Sequence, residues 1–139
     1  MATYNAIKYN VDYGGFAGSL MPLSTFTSDG SDATATFTSG IDSTYNEYLF
    51  IYNNIQRITD NVGNGNDECC SGLFRLYSPS STTFVKHFMG VSNTYQNSDY
   101  SVNAFVGGYA NTTSAIDGVQ FKFASGEIQG GTIQMFGII

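Results

Sequence analysis

Apolar and polar residues alternate with a period of two along most of this chain. In Val119-Gln120-Phe121-Lys122-Phe123 the three apolar residues fall on one face and Gln120 and Lys122 on the other, the mark of a half-buried strand. Ile133 to Phe136 reads the same way after a Gly130-Gly131 turn, and Leu73 to Tyr77 turns Arg75 away from Phe74 and Leu76. Thr83 to Met89, Val102 to Tyr109 and Ala33 to Phe37 add further strand candidates. Tyr48-Leu49-Phe50-Ile51-Tyr52 is apolar on both faces. It predicts a central strand with the core on one side and a second sheet or a neighbouring subunit on the other, the subunit being favoured. Asp29-Gly30, Asn64-Gly65, Asp117-Gly118 and Ser78-Pro79 supply turn chemistry between these runs, whereas Gly, Ser, Thr and Asn interrupt every stretch that could become a helix. About seven to nine short strands at this spacing predict an all-β fold, an antiparallel β-sandwich of jelly-roll-like kind.

The first 22 residues differ. Tyr4, Ile7, Tyr9, Val11, Tyr13 and Phe16 are separated by small or polar residues and lead into the Gly14-Gly15 and Met21-Pro22 breaks. This reads as an extended N-terminal arm (1–22) ahead of a single sandwich domain (23–139). An arm so aromatic needs a surface to dock on, which makes Tyr4, Ile7, Tyr9, Tyr13 and Phe16, with Tyr48, Phe50 and Tyr52 of the central strand, a candidate assembly interface.

Composition narrows the function. A chain of 139 residues forms one domain with enough core to fold without a metal or disulfide. Eleven Phe and ten Tyr beside only 12% charged residues exclude the composition of a disordered chain. Five Lys plus Arg against 11 Asp plus Glu, a net charge of −6 with no basic cluster, argue against nucleic acid. The apolar run from Tyr48 to Tyr52 is far short of the ~20 residues of a membrane-spanning helix, so no membrane partner is expected. The opening MATYNAIKYN has no basic region followed by an apolar one, so no secretory signal is expected and release by lysis would account for an extracellular destination. Cys69 and Cys70 are adjacent, and a bridge between neighbours is strained, so both are expected as free thiols.

Two stretches, Phe37 to Ile55 and Gly63 to Ile138, resemble a β-sandwich module of structural proteins of tailed phages that infect marine bacteria and cyanobacteria. The second carries the more specific segments: GNGNDECCSG (63–72), LYSPSSTTFVKHF (76–88), GYANTTSAIDGVQFKFASGEI (108–128) and GTIQMFGI (131–138). Between Arg57 and Gly63 this copy is shorter than the family pattern, which should shrink one sheet or expose its edge. The resemblance implies a non-enzymatic virion component on the outside of a head or tail, a decoration, knob or fibre-type protein. It would be assembled in the host cytoplasm and released in the virion. Its expected partners are further copies of itself, with a homotrimer the leading arrangement, and other capsid or tail proteins.

Little in the sequence points to catalysis. Glu47, Glu68 and Glu127 are the only glutamates, and Glu47 and Glu127 read as strand-edge charges rather than a paired acid and nucleophile. His87, the single histidine, is followed by no nucleophile elbow and stands apart from the cysteines, so neither a Ser-His-Asp arrangement nor zinc is expected. The oxygen-rich loops Asp29 to Asp32 and Asn64 to Glu68 could suit calcium, but Asx turns explain them, and no cofactor or metal is expected. Tyrosines stack on sugars through their faces, so Tyr95 and Tyr100, in a loop polar enough to be displayed outward, VSNTYQNSDY (91–100), are candidate contacts for a host surface glycan. In that alternative reading the protein is a receptor-binding tip.

Overall fold

The structure, a computed structural model, describes residues 20–57, 62, 65 and 67–139. These form eight strands: β1 (Leu20–Thr27), β2 (Ala35–Phe37), β3 (Glu47–Arg57), β4 (Cys69–Tyr77), β5 (Lys86–Tyr95), β6 (Ser101–Ala110), β7 (Val119–Phe121) and β8 (Ile128–Ile138). The fold is all-β and antiparallel, as the alternation predicts. The two layers are unequal, with a six-stranded sheet in the order β1-β8-β3-β4-β5-β6 and a two-stranded sheet of β2 and β7. Only Ala35–Phe37 and Val119–Phe121 pair in the second layer, because the chain bends away after three residues on each side.

Because antiparallel partners share a face, the register sorts the large sheet. Tyr48, Phe50, Phe74, Leu76, Phe88, Ile133 and Met135 point to the core face; Leu49, Ile51, Leu73, Arg75, Met89 and Phe136 point to the outer face. The core face meets β2 and β7 through an aromatic cluster. Phe50 sits 5.3 Å from Phe37 and 5.2 Å from Phe121, centroid to centroid, both edge-on, and Phe74 lies 5.7 Å from Phe121 and 5.5 Å from Phe88.

Three local readings are corrected. Met21-Pro22 is not a break: Leu20, Met21 and Pro22 begin β1, so the strand takes the last three residues assigned to the arm. Proline survives there because β1 is an edge strand, and the pairing shifts register between Pro22 and Ser24. Gly130-Gly131 is not a turn but lies inside β8, opposite a register shift in β3. Gly131 has φ of 100°, and a Cβ there would stand 2.5 Å from the Asn54 carbonyl oxygen, so glycine is what lets the two strands stay paired. Val91 to Tyr95 is strand rather than loop, which confines the displayed turn to Gln96–Tyr100.

Two buried cations hold the loops. Lys86 is fully buried at the start of β5, and its Nζ donates to the carbonyls of Phe84 (3.1 Å) and Thr112 (3.2 Å), tying the two loops beside it. At the opposite end of the sheet Arg57, 8% exposed, donates from Nε to the Ser125 carbonyl at 2.8 Å and from Nη2 to its hydroxyl at 2.6 Å. Its guanidinium also lies 5.3 Å from the centre of the Phe123 ring.

Candidate functional site

The central strand divides the candidate interface. Tyr48 and Phe50 are 0% exposed on the core face. Tyr48 is fixed there by its hydroxyl, which accepts from the Asp42 N–H at 2.9 Å and donates to the Asp42 carbonyl at 3.0 Å. Neither residue can meet a partner, because β2, β7 and the loop before β3 already cover that face. This corrects their assignment to an assembly surface; Leu49 and Ile51 point to the outer face, where Leu49 is buried and Ile51 partly exposed. Tyr52, half-buried, crosses over Gly72 to donate to the Val91 carbonyl at 3.0 Å. The arm positions Tyr4, Ile7, Tyr9, Tyr13 and Phe16 lie outside the described residues.

Because the small sheet stops at β7, an apolar groove of about 270 Å³ is left beside it, floored by Phe74, Val106 and Ala104 and walled by Phe121, Phe123 and Ile133. Tyr52 and Cys70 also line it. Burial, with the neighbouring Cys69 as a smaller cause, pushes the Cys70 thiol up to about 11. Cys69 and Cys70 point to opposite faces of β4, as neighbours in a strand must, and both are free thiols.

The two edges of the large sheet differ. At β1, Pro22 and the register shift interrupt the outer ladder. At β6 nothing does: its ten residues, SVNAFVGGYA, carry no charge, and no described residue pairs with the outer edge. Phe105 is 77% exposed there, Tyr109 57% and Val106 53%, and Met89 beside them on β5 is 46% exposed. Phe105, Tyr109 and Met89 share the outer face, where the Tyr109 ring stands 6.1 Å from His87. Sequence reading recognised Val102 to Tyr109 as a strand but missed that it is an unguarded edge. The signal was present in its run of ten residues without Lys, Glu, Asp or Pro.

Tyr95 and Tyr100 come together at the tip of the β5–β6 hairpin. Gln96 N–H donates to the Tyr100 carbonyl at 3.1 Å, Asp99 N–H to the Gln96 carbonyl at 3.0 Å, and Asp99 takes φ of 60°. The Tyr95 hydroxyl donates to the Asp99 carboxylate at 3.3 Å, and the negative charge of Asp99 raises the Tyr95 pKa above its ordinary value. Tyr100 is half exposed at 51%.

Glu47 and Glu127 stand too far apart to act as a paired acid and nucleophile. Glu47 begins β3 and pairs with Arg75 at 2.8 Å, whereas Glu127 precedes Ile128, whose partner Arg57 ends the same strand. The length of β3, roughly 33 Å at about 3.3 Å per residue, separates them, against the 5 to 10 Å or so that a hydrolytic pair needs. In the loop Asp29 to Asp32 the Asp29 carboxylate accepts from the Ser31 N–H at 3.0 Å and Asp32 accepts from the Asp29 N–H at 2.8 Å, an Asx-turn arrangement. Glu68 likewise accepts from the Gly65 N–H. Among the described residues no three His, Cys, Asp or Glu side chains gather as a metal site. Comparison with protein-family models, curated proteins and solved structures finds no match to this chain.

Proposed function

We propose that this protein is a non-enzymatic structural component of a phage virion, a self-associating β-sandwich fixed to the outside of a head or tail as a decoration or fibre-type element. The observation that carries the self-association is that no described residue pairs with the outer edge of β6, beside which Phe105, Tyr109 and Met89 are exposed. A long, neutral, apolar edge invites pairing with another chain, and a stable protein that keeps one has a use for it. The phage assignment is supported by the segment resemblance alone. Attachment through such surfaces is governed by burial at ~25 cal/mol per Å² of apolar area rather than by charge. Purified particles washed in 1 M salt are therefore expected to keep the chain; shedding in moderate salt with retention at low ionic strength would overturn the reading. A reconstruction of the intact particle that lacks the chain would overturn its virion assignment.

The hairpin tip favours a second reading, a receptor-binding tip that recognises host glycan, because it joins Tyr95, Asp99 and the exposed Tyr100 in one outward turn. It predicts that the isolated protein blocks host adsorption and that Tyr95→Ala with Tyr100→Ala abolishes the block. Unchanged adsorption in the presence of the wild-type protein would exclude this reading.

A further inference from the structure

The geometry points to antiparallel pairing of β6 with β6 of a second copy of this chain, about a two-fold axis that passes through Val106 perpendicular to the sheet. This rests on the self-association reading and gives it a surface and a register.

Charge favours a second copy as the occupant of this edge. The chain carries a net −6, so two copies repel over most of their surfaces, yet Ser101 to Ala110 holds no charged side chain and can meet its own copy without repulsion. The length of the edge favours it too. Ten residues of edge span roughly 34 Å, and an antiparallel pair of that length makes about ten backbone hydrogen bonds, as many as an interface of standard size. The edge at β1, interrupted by Pro22 and its register shift, offers no such run.

The placement of glycines opposite aromatic rings fixes the register. Within the large sheet, aromatic residues on the core face repeatedly stand opposite a glycine of the next strand: Tyr52 opposite Gly72, Phe74 opposite Gly90 and Phe88 opposite Gly108. In each case the ring covers backbone that the glycine leaves bare. A Cβ added at Gly108 would stand 2.8 Å from the Phe88 ring, and one at Gly72 2.6 Å from the Tyr52 hydroxyl. On the outer face of β6, Phe105 faces Val91 and Gly107 faces Met89, so among the described residues neither has this arrangement. A two-fold at Val106 supplies both halves at once, placing Phe105 opposite Gly107 of the partner subunit and Gly107 opposite Phe105 of the partner subunit. Val106 meets its own copy on the core face, and Val102 falls opposite Ala110 of the partner subunit.

The test is made on the full chain. Sedimentation equilibrium is expected to give a dimer mass. Val106→Lys, on a half-exposed edge position, is expected to weaken the dimer about tenfold or more with an unchanged circular dichroism spectrum, because it sets like charges face to face. With Cys69→Ser and Cys70→Ala as background, Val106→Cys is expected to form an intersubunit disulfide on mild oxidation. Phe105→Cys is not, since its two copies lie on a diagonal too long for one. A trimer or larger species indifferent to Val106→Lys would overturn the pairing while leaving self-association standing. Cross-linking through Phe105→Cys but not Val106→Cys would overturn the register. A chain that stays monomeric at every concentration would overturn both this inference and the self-association on which it rests.

Discussion

Lys86 illustrates what a single side chain does here. Its ammonium is fully buried and donates to the Phe84 and Thr112 carbonyls, so its removal unties the two loops and leaves a cavity where the stem ran. Lys86→Ala is expected to cost about 2–4 kcal/mol and to lower Tm by roughly 5–15 °C by calorimetry, with Lys86→Met, which keeps the packing, costing less. Sequence reading placed Lys86 in a strand but gave no hint of its burial, because its acceptors are backbone carbonyls that carry no residue signature. Cys70 supports a second expectation. Its thiol pKa is raised to about 11 from an ordinary 9.0, so thiolate is scarce at neutral pH and alkylation of Cys70 should keep rising, roughly tenfold per pH unit, until it levels off above pH 11. The same shift sets a stability window. The folded state holds the proton more tightly than the unfolded state, so the contribution is fully present below pH 9 and disappears as pH rises through about 11. Denaturation midpoints in urea at pH 8, 10 and 11 of wild type and Cys70→Ala check it, with the loss expected in wild type.

The elements were legible where alternation was strict and obscure where glycine or proline interrupted it. Val119 to Phe121 was readable because its apolar residues recur at every second position, Leu73 to Tyr77 because Arg75 turns away from Phe74 and Leu76, and Tyr48 to Tyr52 as a short run apolar on both faces. β1 was not, since Pro22 counts against a strand unless the strand is known to lie at an edge, and edges are decided by residues far away in sequence. Nor was the length of β8, whose Gly130-Gly131 pair is a turn signal by composition and a bulge by register. The same logic missed that Tyr48 and Phe50 face inward: a strand apolar on both faces does not reveal which face the second layer covers. Between elements, protection should follow position. β3 and β8 are paired on both sides and pack against the small sheet, whereas among the described residues β6 is bonded on one side only. Amide hydrogen exchange in the monomeric Val106→Lys protein is expected to be slowest in β3 and β8 and fastest in β6. Equal protection across the six strands would show that the sheet opens as a single unit.

At the scale of the whole molecule, the two ends of the sheet are finished differently. At one end the loops are stitched to each other: Ile116 N–H donates to the Pro79 carbonyl at 2.8 Å, Ser78 N–H to the Asn46 carbonyl at 2.6 Å, and Lys86 joins Phe84 to Thr112. At the other, Arg57 ties the end of β3 to Ser125, but the Gln96–Tyr100 turn closes on its own bonds. A reporter peptide spliced between Asn97 and Ser98 should therefore leave the melting temperature within about 2 °C of the parent, while the same peptide after Thr112 should unfold the protein at 37 °C, as thermal scans of the two fusions would reveal. The hairpin tip is thus a natural port for cargo, a site where a display platform could carry foreign sequence without disturbing the sandwich beneath it.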